Sequence, residues 1–462
     1  MAAFHPLIIL AAGLLTAIAL IIVLRLNAFL SLITASMVVS LMSPGVPAEK
    51  ISRVAEAFGA TAGKIGIVIA LAAITGSCLI ESGAADRIVR FFVDRTGEKR
   101  CEVSLMASGF LLSIPVFYDT VFYLLLPLAR SMHVQTKKNY LLLVLCMGAG
   151  ASITHSLVPP TPGPLIIAGT LGVGVGAMIL GGLLVSVPTA FVIYFFIRFY
   201  AARFSIPMRE YKAAGPEAGP APDGRMPGLA VSLLPVLYPL LAISAHTLMS
   251  MPSGGENADP HLLQVRAFAA LLGDANAAML VSAAMAILVW IRTKHPGRKA
   301  FRDSMENALM SAGVIILITS AGGAFGAMLK AAQLGPAVQG LFAAGAGGNG
   351  GTAMLFMGFL MAFLMKFSQG SSTVAMITSS AMIAALVPAR SVLGFHPVYL
   401  AAAIGFGAQC GNWMNDSGFW LFAKMGGFTE LETLKTWTVT VSLMAVCGFL
   451  ITWLFSGILP LI

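Results

Sequence analysis

Four ionisable side chains stand inside long apolar runs of this chain: Asp119, His155, Lys366 and Asp416. An apolar surrounding penalises a charge by several kcal/mol unless it is paired, so each is a candidate for a specific task. Lys366 comes one helical turn before Gly370-Ser371-Ser372-Thr373, which opens a predicted apolar helix, Val374 to Leu386. Small and hydroxyl residues at a helix start leave backbone N–H groups and the positive dipole end free for an anion. Asn415-Asp416-Ser417-Gly418 offers the same geometry with an acid inside it. His155 is surrounded by Ser152, Thr154, Ser156 and Thr161, with Gly163 close behind. Together these groups describe a site for a small hydroxylated carboxylate. Its carboxylate would meet Lys366 and the Gly370 helix start. Its hydroxyls would meet Ser152, Thr154, His155, Thr161, Ser371, Ser372, Thr373, Asn415 and Ser417. Asp119 and Asp416 are the candidate proton carriers, because buried carboxylates are the acids whose protonation responds to a site. The competing readings are a hydrogen-bonded structural carboxylate for each Asp, a core histidine for His155 and an ordinary capped helix at Gly370. Glu81, Asp274 and Lys330, near predicted span ends, read as interfacial.

The elements that must hold these residues are broken ones. Pro159, Pro160, Pro162 and Pro164 follow the apolar run Tyr140–Ala151, and each lacks a donor and biases its predecessor away from helix. Pro115, Asp119 and Pro127 interrupt the over-long run Val103–Met132, which predicts a re-entrant hairpin. Lys366–Thr373 interrupts Thr352–Val387, and Asn412–Gly418 interrupts Val398–Met425. Irregular polar backbone at membrane depth survives where protein or a water-filled cavity satisfies it, and that argues for a substrate pathway.

Composition places the breaks in a membrane. The chain has 462 residues, 58% hydrophobic and 10% charged, with a mean hydropathy of +0.89. Soluble domains carry about 25% charged residues. The expected fold is an all-α polytopic membrane protein of about 11–14 segments, hairpins included. Met1–Leu24 reads as a retained first span, since it lacks a basic start and its apolar run is long. The net charge of +9 sits in short loops between apolar runs, which the positive-inside rule explains without nucleic acid. Cys78, Cys101, Cys146, Cys410 and Cys447 show no metal or redox spacing and read as free thiols. No cofactor or metal is implied, the surroundings are the lipid bilayer, and homo-oligomer formation is left open.

Residues 199–228, rich in Ala, Pro and Gly, form a polar linker between an N-terminal half, 1–198, and a C-terminal half, 229–462. From residue 43 onward the halves are alike. Glu81–Ala84, the break at Asp119 and the break at Thr154–Pro164 correspond to Gln333–Pro336, Gly370–Thr373 and Asn415–Gly418. The loop after Gly83 carries five basic residues and its counterpart after Gly335 none, whereas Ser43–Lys64 has three and Arg292–Arg302 five. Equivalent loops then face opposite sides, which predicts inverted-topology repeats with the site between matched broken helices.

Several ordered motifs also resemble the gluconate permease (GntP) family of the ion transporter superfamily over nearly the whole length. They are Arg25-Leu26-Asn27-Ala28-Phe29, Gly83-Ala84-Ala85-Asp86-Arg87-Ile88, and Thr154-His155 through Pro159-Pro160 to Pro162-Gly163-Pro164. In the second half they are Ala321-Gly322-Gly323-Ala324-Phe325, Gly370-Ser371-Ser372-Thr373-Val374-Ala375, and Asn415-Asp416 with Gly418-Phe419-Trp420-Leu421. The resemblance implies a multi-pass protein of the bacterial inner membrane. It also implies uptake of a sugar acid, gluconate or a related hydroxy-acid, by proton symport. This chain has Asp119 where the family pattern has Glu, Lys366 where it has Arg, Thr161 where it has His, and Gln369 where it has a small apolar residue. An ammonium is not equivalent to a bidentate guanidinium, so these departures bear on substrate choice. The alternatives are Na⁺-coupled transport of a carboxylate or hydroxy-amino acid and a passive anion channel. An intramembrane hydrolase using His155 with Ser152 or Ser371 lacks both H-E-x-x-H and G-x-S-x-G.

Overall fold

The computed structural model describes residues 5–24, 26–97, 100–209, 226–250, 268–332, 350–387, 393–414 and 416–461, and among them it contains helices and no strands. Among the described residues, eight helices are long and apolar enough to cross a membrane, and five shorter apolar helices accompany them. With no strand partners available, only helices satisfy the backbone in lipid.

The N-terminal half begins with α1 (Pro6–Ile18, continued by a π turn Ala19–Val23) and α2 (Ala28–Met42). Asn27 caps α2 by accepting from the Phe29 N–H at 2.8 Å. Next come α3 (Glu49–Glu81) and the amphipathic α4 (Ala84–Thr96). Gly83, at φ +75°, makes the left-handed turn between them. Helix α3 runs through the charged stretch Glu49–Lys64 without a break. It contains no proline, Val54 is buried, and Glu49, Ser52 and Lys64 are exposed, so its charges lie on one face of a continuing helix. Arg53 ties this helix to the end of α2 through Ser40 and the Pro44 carbonyl.

The expected hairpin is α5 (Cys101–Leu112) and α6 (Tyr118–Thr136), broken at 113–117. Pro115 lies in the break, Asp119 in the first turn of α6, and Pro127 inside α6 without ending it. Then α7 (Tyr140–Leu157) breaks at 158–161 and resumes as α8 (Pro162–Leu171), with proline in the first turn where its missing donor is harmless. The Pro159–Pro160 bond is cis. Helix α9 (Val175–Ala201) ends the half, three residues beyond the expected boundary.

The second half contains α10 (Leu229–Ser250), α11 (Ala275–Lys294) and α12 (Arg298–Ala331), which starts inside the basic loop. Then come α13 (Gly350–Gln369) and α14 (Ser372–Ala384), separated by Gly370 at φ +82°, a conformation glycine adopts without a Cβ clash. Helix α15 (Val398–Gly407) is separated by an irregular stretch from α16 (Ser417–Trp420, continued by a π turn Leu421–Met425). The last span starts at α17 (Glu430–Thr433) and passes through a π turn into α18 (Val439–Ile458). A capping box between Thr429 and Glu432 sets its start. The expected counterpart Gln333–Pro336, the glycine-rich residues 335–349 and Asn415 lie outside the described residues.

Helices from both halves build each of the two main apolar clusters. The long helices α3 and α12 cross so closely that a Cβ on Gly323 would lie 2.1 Å from Thr61 Oγ1. The broken helix α7–α8 is the innermost span, with 83% of its apolar window buried against 28% for α10. At about 1.5 Å per residue, α8, α14 and α15 reach only about 15–20 Å, too short to cross a ~30 Å core. Their open ends therefore stop inside the protein.

Candidate functional site

Two of these breaks face each other. Gly405 of α15 packs on α7 so tightly that a Cβ there would lie 2.8 Å from the Ser156 carbonyl oxygen. Gln409 donates from Nε2 to the Ser152 carbonyl at 2.8 Å. Beside this crossing, Lys366 at the end of α13 donates its ammonium to Asp416 and to the Gly370 carbonyl. Asp416 uses its other oxygen to cap α16, accepting from Gly418 at 2.5 Å and Phe419 at 3.2 Å. Lys366 thus bridges the breaks before α14 and α16.

A cavity of about 310 Å³ adjoins this bridge at Asp416. That volume is at the lower end of the range for small-molecule sites, about 300–1,000 Å³. From the first half, Phe117, Tyr118, Asp119, Ser152, His155 and Ser156 line it. The start of α14 supplies Ser371, Ser372 and Thr373, and the start of α16 supplies Asp416, Ser417 and Gly418. Asn412, Trp437 and apolar residues of α12 and α14 complete the wall. Ser371 caps α14 by accepting from the Val374 N–H at 3.3 Å. No described hydrogen bond or ion pair engages the Asp119 carboxylate. Four polar atoms on this wall, Tyr118 Oη, His155 Nδ1, Asn412 Oδ1 and Trp437 Nε1, are buried without a hydrogen-bond partner. Buried polar atoms are ordinarily paired, so four unpaired ones on residues around one cavity single it out as the candidate binding site.

The packing explains their positions. Gly148 leaves room for Trp437, since a Cβ there would lie 2.8 Å from the indole. Trp437 stacks on Phe422 at 4.9 Å and on Tyr118 at 6.1 Å. His155 meets the edge of Phe117 at 6.3 Å.

Of the residues expected to bind, Ser152, His155, Ser371, Ser372, Thr373 and Ser417 reach the cavity, with Asp119 and Asp416. The others sit differently. Thr154 donates to the Phe110 carbonyl at 2.7 Å and Thr161 to Val158 at 2.8 Å, both away from the wall. Gly163 is a contact point for α14, because a Cβ would lie 2.2 Å from Met376 Cε. Gly370 lies just behind the wall and gives its carbonyl to Lys366. Lys366 is fully buried, and its charge is already matched by Asp416. Asn415 is outside the described residues. Tyr118, Ser156, Asn412 and Trp437 also line the cavity but were not among the expected binding residues, although Ser156 was named beside His155. Asn412 was legible as part of the expected break, and Tyr118 as the neighbour of Asp119. Trp437 gave no signal in the sequence. Among the described residues no cluster of His, Cys, Asp and Glu could hold a metal.

Comparison with known proteins agrees with this architecture. Over 99% of both chains, the fold matches the Alcanivorax borkumensis YdaH transporter, with a TM-score of 0.62 at 15% identity. Neisseria gonorrhoeae MtrF matches with a TM-score of 0.64 at 14% identity, covering 99% of this chain and 96% of that one. In sequence, the chain is 31% identical to a gluconate permease of Bacillus subtilis, over 96% of this chain and 97% of that protein. It is 29% identical to the low-affinity gluconate transporter of Escherichia coli K12, over 92% and 93%. The family description GntP family permease matches residues 5–458. With these relatives and eight candidate spans, the protein is a multi-pass transporter of the bacterial inner membrane, not an enzyme, and it belongs to the GntP permease family.

Proposed function

We propose that the protein takes up gluconate or a related small hydroxylated carboxylate by proton symport, through the cavity between the facing breaks. The names of the relatives support the substrate class. The observation that carries the coupling is the charge balance of the cavity. Among its described lining residues, Asp119 and Asp416 are acidic and none is Lys or Arg. Lys366 lies behind the wall and is matched by Asp416. A carboxylate guest therefore meets Asp119, which makes no ion pair among the described residues. Two like charges about 4 Å apart repel by about 4 kcal/mol at an effective dielectric near 20. A proton on Asp119 removes that repulsion, so anion and proton bind together. The hydroxyls of Ser152, Ser371, Ser372, Thr373 and Ser417, with Tyr118, His155 and Asn412, suit the guest's hydroxyls.

Alternating exposure then follows from two inverted-topology halves. The order of elements supports this reading: α3, the α5–α6 hairpin and broken α7–α8 recur as α12, broken α13–α14 and broken α15–α16. Cysteines replacing Lys50 and Lys299 should label from opposite faces. Labelling from one face would remove the inversion.

The decisive experiment is uptake of radiolabelled gluconate and other sugar acids into proteoliposomes carrying an internal pH dye. Substrate-dependent internal acidification supports symport. Uptake that needs Na⁺ and moves no proton replaces H⁺ with Na⁺, and flux driven by the gradient of the anion alone makes the protein a channel.

A further inference from the structure

A second cavity, of about 210 Å³, lies between α3, α8, α12 and α14. Its polar lining residues are Thr61, Lys64 and Thr170, and the rest of its wall is alanine, glycine and isoleucine. It shares no residue with the central cavity, yet one helix joins the two. Val374 and Ile377 of α14 face the central cavity and Ala384 faces the second. Seven residues of helix are about 10 Å. Between the cavities, α14 is seated on glycines of its neighbours. A Cβ on Gly322 would lie 2.2 Å from Ile377 Cγ2, and one on Gly163 would lie 2.2 Å from Met376 Cε. Ile377 and Met376 of α14 therefore lie directly against the backbone of α12 and α8.

The charges on the two sides differ. The central cavity presents carboxylates. The second presents Lys64, an exposed lysine that belongs to none of the ion pairs found among the described residues. A cation at the mouth of an apolar-walled cleft, with no ion-pair partner among the described residues, concentrates anions. Of the charges in the Glu49–Lys64 stretch, Lys64 alone is among the residues lining this cavity, so it stands where the exposed face of α3 meets the cavity mouth.

We propose that the Lys64 cavity is a second, transient subsite for the transported carboxylate, beyond the C-terminal ends of α8 and α14. Lys64 holds the carboxylate, the Thr61 and Thr170 hydroxyls meet its polar body, and the Ile377–Gly322 and Met376–Gly163 contacts separate it from the central site. This rests on the reading of the protein as a carboxylate transporter.

The test compares wild type, Lys64→Gln and Lys64→Arg for radiolabelled gluconate uptake in proteoliposomes and for equilibrium gluconate binding in detergent. Lys64→Gln should slow initial uptake about tenfold at low salt, with the deficit narrowing at high salt as screening removes the attraction. Its equilibrium binding should stay within about twofold of wild type, because the central site is untouched. Lys64→Arg keeps the charge and should retain uptake. Wild-type uptake with unchanged Lys64→Gln kinetics overturns this subsite alone. So does parallel loss of binding and uptake in Lys64→Gln, or loss in Lys64→Arg as well. No gluconate uptake by wild type overturns the transport reading and this one together.

Discussion

The Lys366 ammonium is bonded to the Asp416 carboxylate across 50 residues of chain, and both side chains are almost entirely buried. One ion pair therefore fixes the distance between two broken helices, and the same pair keeps Lys366 from serving as a free anion hook. Removing one partner of a buried pair typically costs about 3–5 kcal/mol, because the other charge is left uncompensated. Lys366→Met should therefore lower the thermal midpoint of the detergent-solubilised protein sharply and abolish uptake. Lys366→Met with Asp416→Asn should recover most of the stability without recovering transport. A single variant as stable as wild type would show that the pair does not hold the breaks together.

Tyr118 and Asn412 make the opposite prediction. Their buried Oη and Oδ1 atoms have no hydrogen-bond partner, so removing them deprives the fold of nothing. Tyr118→Phe should leave the thermal midpoint unchanged or slightly raised. It should weaken gluconate binding about tenfold, the ~1.4 kcal/mol expected of one lost hydrogen bond. Asn412→Leu should behave alike. Isothermal titration of the purified variants reads the change, and unchanged affinity would remove these groups from the site.

The breaks were legible in the sequence because prolines, glycines and hydroxyl residues interrupting an apolar run are local signals. Pro159–Pro164, Gly370–Thr373 and Asn412–Gly418 needed no tertiary information. The continuity of α3 was hidden, since charged residues such as Glu49 and Lys64 look like a loop until Val54 is seen buried on the other face. Partner choice was hidden for the same reason. Lys366 beside a helix start reads as an anion site, and only the fold brings Asp416 to it. Trp437 was invisible because its role depends on Gly148, far away in the chain, leaving space for an indole.

The α5–α7 crossing should be intolerant of any side chain. A Cβ on Gly150 would lie 2.2 Å from the Met106 carbonyl oxygen, and one on Gly109 would lie 2.6 Å from that of Met147. Backbone cannot step aside as a flexible side chain does, and overpacking of this kind costs about 1–3 kcal/mol. Gly150→Ala should lower the thermal midpoint by several degrees, whereas Gly59→Ala, with nothing within 4 Å of its Cβ, should not. Equal midpoints for the two variants would show that the helices are further apart than described.

Asp119 decides how the proton enters. Its carboxylate lines the cavity with no described hydrogen bond or ion pair, and Lys366, the cation nearest the site, is occupied by Asp416. Asn is close in shape to a protonated Asp, so Asp119→Asn makes the neutral form permanent. The variant should bind gluconate at least as well as wild type at pH 8, where wild type must first take up a proton. It should exchange internal for external gluconate but fail to accumulate it against a gradient, because no proton accompanies the anion. Uptake driven by an imposed pH gradient, followed with an internal pH dye, separates these behaviours. If Asp119→Asn still accumulates gluconate with a proton, Asp119 is not the carrier and His155 becomes the group to test by the same assay.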